Sequence, residues 1–327
     1  MTDLTDTTRV TRLAPSPTGT LHLGNALTFV VNWALARRQG WRVVLRMEDL
    51  DSGRVREGAA REVVDVLRWL GLDWDEGPLV QSADLSPYRA ALERLRGAGL
   101  IYPCDATRKE IERAASAPHE SDGETRYPGI NRPFGDVTEA ALAAADVLAD
   151  DAYAWRLSGP DGPVEFVDQL HGPQAVDVQA QVGDFAVATK AGLPAYQLAV
   201  VVDDARQGVT DVVRGDDLLN STPRQVLLYR LLGLGEPPHY WHLPLVSGPD
   251  GRRMAKRDDA VRLTTYLDAG VPGERVVGLL ARWAGLADER EVVSARAFAR
   301  RLDPSRLAYD APQFTQEDEQ WLMDGKA

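Results

Sequence analysis

Residues 12–25 of this 327-residue chain read RLAPSPTGTLHLGN, and this stretch decides the fold. Residues 9–14 (RVTRLA) have the pattern of a short strand, and residues 23–39 have helical periodicity with Gly40 as a stop signal. The prolines and the glycine between them predict a sharp turn at the carboxyl end of the strand. Open α/β sheets bind their ligands at turns of this kind.

The segments that follow alternate between strand and helix patterns. WRVVLRMEDLD (residues 41–51) predicts a second, buried strand that ends in carboxylates, and residues 57–70 predict a helix. A further helix is expected over residues 86–99, capped at Ser86 with Pro87 at its first position. Strand, helix, strand and helix with short links predict an α/β fold with a parallel, doubly wound sheet.

Regularity weakens further along the chain, where polar loops surround the strand candidates AYAWRL and VEFVDQL. An alternating pattern resumes in QLAVVVDD and VTDVVRG, and TPRQVLLYRLLG then predicts a helix. We expect a disordered tail (residues 1–8), a Rossmann-like catalytic domain (9–102 and 185–250), an inserted unit (103–184), and a loop followed by helices (251–327).

The composition excludes several classes of protein. A formal net charge of −12 argues against a protein that coats nucleic acid through bulk positive potential, although a local basic surface is compatible with it. The sequence contains no run of eighteen apolar residues, so no membrane span is expected. The first eight residues are polar and do not resemble a signal peptide. The single cysteine, Cys104, excludes a disulfide framework and favours a reducing, cytoplasmic setting.

Two short motifs carry the candidate chemistry. His22 and Gly24 open the first predicted helix, whose amino-terminal amides and dipole favour phosphate. GRRMAKR (residues 251–257) places Lys256 in a glycine-bounded cationic loop, which can close over a triphosphate. Each motif alone is more often an ordinary turn, with a surface histidine in one case and solvated basic side chains in the other.

Together and in this order, the two motifs resemble the HIGH and KMSKS motifs of the class I aminoacyl-tRNA synthetases. RLAPSPTGTLHLGN, RMEDLD, LPAYQLAVVVDD and VTDVVRGDDLL are similar to the glutamyl and glutaminyl branch of that class. The resemblance runs from Arg9 to Lys256. It implies a Rossmann-like class I synthetase catalytic domain with an inserted α+β acceptor-type subdomain and a short helical carboxyl-terminal region. It also implies an ATP-dependent ligase that converts glutamate to glutamyl-adenylate.

The resemblance assigns roles to individual residues. His22 and Lys256 are the expected catalytic residues, and Mg²⁺ is expected with the ATP. Two positions depart from the family pattern in the second motif, because Arg253 replaces a lysine and Ala255 replaces a serine. The expected ATP-binding residues are Pro17, Thr18, Gly19, His22, Gly24, Asn25, Arg253, Met254 and Lys256.

A glutamate substrate brings two carboxylates and one ammonium, so a buried site needs two cations and one anion. By resemblance, Arg12 and Arg214 bind the two carboxylates. Arg12 is favoured for the side-chain carboxylate, and the assignment of the two arginines stays open. The alternative for Arg214 is an ion pair with Asp216 or Asp217.

The anion of the expected glutamate site is Glu48, which by resemblance faces the substrate ammonium. Its alternative is an ion pair with Arg46 or Arg54. The hydroxyl of Tyr196 can donate to the side-chain carboxylate of glutamate. The remaining expected residues of the glutamate site are Ala14 and Ser16.

Only about 70 residues follow Arg257, which is too few for the anticodon-binding region of full glutamyl-tRNA synthetases. The chain is more similar to a stand-alone paralogous family that activates glutamate without tRNA and transfers it to the queuosine base in the anticodon of tRNA(Asp). We expect a monomer with L-glutamate, ATP and queuosine-bearing tRNA(Asp) as partners, and no membrane. The alternatives are a truncated glutamyl-tRNA synthetase that charges a tRNA 3′ end, a nucleotidyltransferase, and a non-catalytic binding module.

The inserted unit departs from that family at its usual zinc site. Cys104 and Tyr127 remain, but Ala106 and Asn131 stand where the other ligands would be. One thiolate and one phenol do not complete a tetrahedral site, so no zinc is expected.

Overall fold

A computed structural model gives the fold, and it describes residues 8–17, 19–50, 56, 58–107, 109–111, 126–129, 131–132, 147–148, 153–248, 261–307 and 310–325. These residues form two compact units. The first combines Met1–Ala83, Val209–Leu219 and Pro238–Ala327, and the second combines Asp84–Gly208 and Asn220–Pro237. The domain boundaries expected from the sequence stay a prediction, because spatial compactness and the limits of an inserted segment are different properties.

The strands are β1 (Val10–Leu13), β2 (Arg42–Met47), β3 (Glu76–Val80), β4 (Ile101–Cys104), β5 (Ala154–Leu157), β6 (Pro163–Asp168), β7 (Gly172–Asp177), β8 (Phe185–Ala188), β9 (Asp211–Gly215) and β10 (His239–Leu243). The helices are α1 (Leu23–Gln39), α2 (Ala59–Trp69), α3 (Ser86–Gly97), α4 (Val178–Gln181), α5 (Tyr196–Arg206), α6 (Thr222–Leu232), α7 (Leu263–Asp268), α8 (Gly273–Trp283), α9 (Ala295–Arg301) and α10 (Gln316–Met323).

The first unit contains parallel strands in the order β3-β2-β1-β9-β10. β1 pairs with β2 from Val10↔Arg42 to Leu13↔Leu45, and with β9 through Thr11↔Asp211. Helix α1 connects β1 to β2, and α2 connects β2 to β3, so the chain builds the sheet in one direction before continuing on the other side of β1. The predicted α/β fold with a parallel sheet is confirmed. Its strand order reverses between β1 and β9, where open α/β sheets bind ligands.

Helix α1 is anchored to β1 by a buried asparagine. Asn32 donates from Nδ2 to the Arg12 carbonyl at 2.9 Å and accepts from the Thr11 hydroxyl at 2.8 Å. The helix ends at Gly40, whose φ of 71° lies in the left-handed region that glycine adopts without strain. The predicted helix and its stop are therefore confirmed.

The second unit contains the antiparallel sheet β4-β5-β8 and the hairpin β6-β7. The strands predicted in AYAWRL and VEFVDQL are confirmed as β5 and β6. The alternating pattern of QLAVVVDD is misleading, because these residues lie in helix α5. Residues 198–204 are all buried, and a helix that is buried on every side lacks the polar face that distinguishes it from a strand.

Ser86 does not cap α3 as predicted. It is the first residue of the helix, and the Asp84 carboxylate accepts hydrogen bonds from the Ser86 N–H at 2.9 Å and from its hydroxyl at 2.6 Å. A short acidic side chain often takes this role just before a helix, because it reaches nearby N–H groups. Pro87 is therefore the second residue of the helix, one position later than predicted.

The carboxyl-terminal helices α7–α10 belong to the first unit. Helix α9 packs against α1, and Arg38 Nη1 donates to the Arg300 carbonyl at 2.9 Å. In α8, a Cβ added to Gly278 would overlap the carbonyl oxygen of Glu291. Across the described part of the chain, no helix combines the length and the apolar character needed to cross a bilayer.

Gly278→Ala is expected to destabilise the first unit, because the new methyl group fits only if α8 moves away from the backbone at Glu291. We expect the free energy of unfolding to fall by about 2 kcal/mol, measured by urea denaturation. Gly97→Ala is the matched control, since it also lies in a helix and its added Cβ would meet no atom within 4 Å. Equal stability of the two variants would contradict the close approach at Gly278.

Candidate active site

Two buried arginines flank the reversal of strand order. Arg12 lies on β1 and Arg214 lies on β9, and each residue is only 5% exposed. Arg12 Nη1 donates to the carbonyl of Val213, the residue before Arg214, at 3.4 Å. The structure therefore places the two cations predicted for the glutamate carboxylates on neighbouring strands, towards their carboxyl ends.

Arg214 is held by residues that the sequence did not single out. Its Nε donates to Nε2 of His242 at 3.0 Å, and its Nη2 donates to the Leu218 carbonyl at 3.4 Å. The guanidinium carbon also lies 5.3 Å from the centre of the Tyr240 ring. Acceptors and an aromatic face thus surround a cation that is almost fully removed from water.

Glu48 lies one residue beyond the end of β2. Its N–H donates to the Pro15 carbonyl at 3.0 Å, which joins the end of β2 to the turn after β1. Its carboxylate accepts from Nη2 of the buried Arg46 at 3.0 Å. The ion pair with Arg46 that the sequence offered as an alternative is therefore present, whereas Arg54 lies outside the described residues.

Buried and more exposed residues alternate in the turn after β1. Pro15 and Pro17 are buried, Ser16 is exposed, and Ala14 and Gly19 are half-buried. Buried prolines fix the backbone of the turn, so the exposed Ser16 is presented from a rigid segment.

His22 and Asn25 form a reciprocal cap at the start of α1. The Asn25 N–H donates to Nδ1 of His22 at 3.3 Å, and the His22 N–H donates to the side-chain oxygen of Asn25 at 3.1 Å. Because Nδ1 accepts this hydrogen bond, the neutral imidazole carries its proton on Nε2. The histidine is therefore a helix cap whose remaining ring N–H is a hydrogen-bond donor.

Gly24 has a steric reason to be glycine besides the approach of a nucleotide. A Cβ at this position would stand 3.1 Å from both Cε1 and Nδ1 of the His22 ring. A side chain at position 24 would therefore displace the His22 ring and disturb the cap at the start of α1.

Tyr196 belongs to the second compact unit, where it is the first residue of α5 and is 40% exposed. The residue after it takes part in a chain of polar side chains. Gln197 donates to the Ser221 hydroxyl at 3.0 Å and accepts from Gln225 at 2.8 Å. This network holds the first turn of α5 against α6, and it thereby fixes the position of Tyr196 at the start of α5.

The second motif and part of the first cannot be placed. Thr18, Arg253, Met254 and Lys256 lie outside the described residues. Their expected contacts with ATP remain predictions from the sequence.

Residues 9–321 match the family model described as tRNA synthetases class I (E and Q), catalytic domain. A glutamyl-Q tRNA(Asp) synthetase of Geobacter sulfurreducens is 44% identical to this chain over 93% of its length and 95% of the relative's own. One of Nocardia farcinica is 48% identical over 90% of each chain. This chain belongs to the glutamyl-Q tRNA(Asp) synthetase family. The resemblance drawn from the motifs is confirmed.

A solved structure supports the same family fold. The crystal structure of a glutamate tRNA ligase from Elizabethkingia meningosepticum, in complex with its amino acid, matches with a TM-score of 0.79 at 26% identity, and the match covers 97% of this chain and 69% of that chain. Class I synthetases are ligases that use ATP, usually with Mg²⁺, so family membership supports ATP as a substrate.

Within this family the usual zinc positions form a different arrangement here. Cys104 and Tyr127 are buried and share a hydrogen bond of 3.3 Å between Sγ and the phenol oxygen. Ala106 packs against them, and Asn131 donates from Nδ2 to the Asp105 carboxylate at 2.8 Å. Burial raises the pKa of Tyr127, and its hydrogen bond to Cys104 raises it further. These groups do not fit a zinc ion, because Ala106 and Asn131 do not supply the two further ligands that a tetrahedral site needs beside Cys104 and Tyr127.

A second hydrogen bond supports the same cluster. Tyr102 donates to the buried Asp184 carboxylate at 2.7 Å, and Gln179 donates to the other oxygen of that carboxylate at 3.0 Å. The guanidinium of Arg156 lies 3.7 Å from the centre of the Tyr127 ring. These contacts join strand β4 to Asp184, which precedes β8, and join Arg156 of β5 to Tyr127.

Proposed function

We propose that this chain activates L-glutamate with ATP, without RNA, and transfers the glutamate to the queuosine base of tRNA(Asp). The observation that carries the proposal is the high identity to glutamyl-Q tRNA(Asp) synthetases over nearly their whole length. The paired arginines at the reversal of strand order support glutamate as the amino acid. A truncated glutamyl-tRNA synthetase is not favoured, because the relatives that match over most of both chains carry the glutamyl-Q name.

In the first step, an oxygen of the glutamate α-carboxylate attacks the α-phosphorus of ATP. A new P–O bond forms to give glutamyl-adenylate, and the bond to pyrophosphate breaks. Arg12 and Arg214 bind the two carboxylates of glutamate, with Arg12 on the side-chain end. Glu48 faces the ammonium, and the hydroxyl of Tyr196 donates to the side-chain carboxylate. Catalysis is then mainly a matter of position and charge, since no side-chain nucleophile is needed.

The phosphate groups lie at the start of α1 in this proposal. The amino-terminal amides of the helix and the Nε2–H of His22 donate to phosphate oxygens. By resemblance to the family motif, Lys256, Arg253 and Met254 contribute to ATP binding, and Mg²⁺ bound to ATP would neutralise part of its charge. These donors and cations offset the negative charge that develops on the departing pyrophosphate.

In the second step, a hydroxyl of the cyclopentene-diol ring of queuosine attacks the carbonyl carbon of glutamyl-adenylate. An ester bond forms, AMP leaves with the bonding electron pair, and the hydroxyl loses its proton.

Family membership also supports a soluble cytoplasmic enzyme, and we propose that it acts as a monomer.

The test of this proposal supplies labelled glutamate, ATP and tRNA(Asp) with or without queuosine. We expect glutamate-dependent pyrophosphate exchange without RNA, and label only on the queuosine-bearing tRNA. The label should persist after the 3′-terminal nucleotide is removed, because the acceptor lies in the anticodon. Loss of the label with the terminus, or exchange that requires tRNA, would instead support charging of a tRNA 3′ end.

Variants at His22 separate its capping role from its proposed catalytic role. His22→Asn keeps an acceptor at the position of Nδ1, so the helix cap and the thermal stability should be retained. Asparagine is too short to replace the Nε2–H, so pyrophosphate exchange should slow by about 100-fold. His22→Ala should slow the reaction similarly and also cost about 1 kcal/mol of stability. Wild-type activity in His22→Asn would show that only the cap is needed.

We also propose that the cluster around Cys104 works without zinc, because Cys104, Tyr127 and Asn131 are hydrogen-bonded to protein groups and Ala106 has no ligand atom. Tyr102→Phe leaves the buried Asp184 carboxylate without one donor and should lower the free energy of unfolding by about 1–3 kcal/mol. Tyr153→Phe, at a half-buried tyrosine next to β5, is the control and should change stability little. Stoichiometric zinc in the purified protein, together with a lower melting temperature after chelation, would refute this proposal.

A further inference from the structure

We propose that His242 is a positioning residue that orients Arg214 for a substrate carboxylate; this inference rests on the proposed activation of glutamate. Neither the motifs nor the family comparison assigns a role to this histidine. It is the fourth of the five residues of β10 (HYWHL), where a buried polar ring needs a partner.

The pairing of two strands sets His242 against Arg214. β9 and β10 are parallel, and their register places His242 directly opposite Arg214. His242 is fully buried and Arg214 is 5% exposed, so their contact of 3.0 Å between Nε2 and Nε is shielded from water. A hydrogen bond from a charged donor is strong in such surroundings.

The chemistry of the pair fixes the state of the imidazole. A guanidinium N–H can only donate, so Nε2 of His242 must be the acceptor and carries no proton. The proton of the neutral ring is then on Nδ1. This state provides an acceptor for the arginine without adding a carboxylate, which would compete with the substrate for the same cation.

The direction of the hydrogen bond selects one edge of the guanidinium. Arginine can bind a carboxylate in a bidentate manner through its Nε–Nη edge or through its two terminal nitrogens. Because His242 engages Nε, the bidentate contact with glutamate would use the Nη1–Nη2 edge, where Nη2 has a second N–H besides the one that donates to the Leu218 carbonyl. His242 therefore determines which edge of Arg214 faces the substrate.

Tyr240 supports the same orientation from two residues earlier on β10. Its ring centre is 5.3 Å from the Arg214 guanidinium carbon and 6.1 Å from the His242 ring, with an angle of 16° between the two rings. Side chains two residues apart on a strand point to the same face, so one strand supplies both contacts. A flexible side chain is thereby held in one conformation before the substrate binds.

The experiment compares His242→Gln with His242→Asn in glutamate-dependent pyrophosphate exchange. Glutamine places an acceptor near the position of Nε2, whereas asparagine reaches only the position of Nδ1. We expect the glutamate KM to stay within about threefold of wild type in His242→Gln and to rise about 10- to 100-fold in His242→Asn. The ATP KM should be unchanged in both variants, which a general loss of structure would not allow.

Two controls make the result specific. His239→Gln changes a histidine of the same strand whose side chain is 60% exposed, and it should leave both KM values unchanged. Arg214→Lys removes the Nε donor, so adding His242→Asn to it should raise the glutamate KM little further, because the two changes remove one interaction. Melting temperatures of all variants show which of them are folded.

The outcomes separate the two proposals. If wild-type protein shows no glutamate-dependent exchange, the proposed function fails and this inference fails with it. If wild type is active and His242→Asn matches it in glutamate KM, only the role of His242 is refuted. Equal increases in the KM of ATP and glutamate in His242→Asn, or full additivity with Arg214→Lys, would also refute it.

Discussion

The guanidinium groups of Arg12 and Arg214 are buried on neighbouring strands, and the surrounding part of the first unit is arranged to supply them with hydrogen-bond acceptors. A buried cation without acceptors is costly, so the surrounding backbone and side chains must supply them. The Val213 carbonyl does so for Arg12, and His242 does so for Arg214. Asn32 at the same time holds the Arg12 carbonyl to helix α1. Sheet, helix and cations are therefore parts of one hydrogen-bonded assembly, and none of them can move without disturbing the others.

The parts of this assembly that depend on neighbours along the chain could be predicted from the sequence. The period of α1, its stop at Gly40, and the strands β1, β2 and β9 all follow from local patterns. Helix α5 could not be identified in this way, because its buried residues leave no polar face to mark the helical period. Its strand-like pattern reflects burial on all sides and not a preference of the backbone.

The contacts between strands were beyond local reasoning for a different reason. His242 meets Arg214 through the register of β9 with β10, and neither strand encodes that register by itself. The ion pair of Glu48 with Arg46 was foreseen as an alternative, since the two residues are close in sequence. The predicted residues Arg12 and Arg214 are brought to neighbouring strands, but the sequence could not indicate the neutral partner that holds one of them.

His22 holds the start of α1 through Nδ1, whatever its other nitrogen does. Two selective pressures therefore act on a single side chain. A descendant that abandoned catalysis would still benefit from a capping residue at this position, so the histidine would disappear slowly. Retention of H-x-G in a divergent relative is therefore weak evidence that the relative is an active enzyme. Substitution of both Arg214 and His242 in a relative would be stronger evidence that it no longer binds the same substrate.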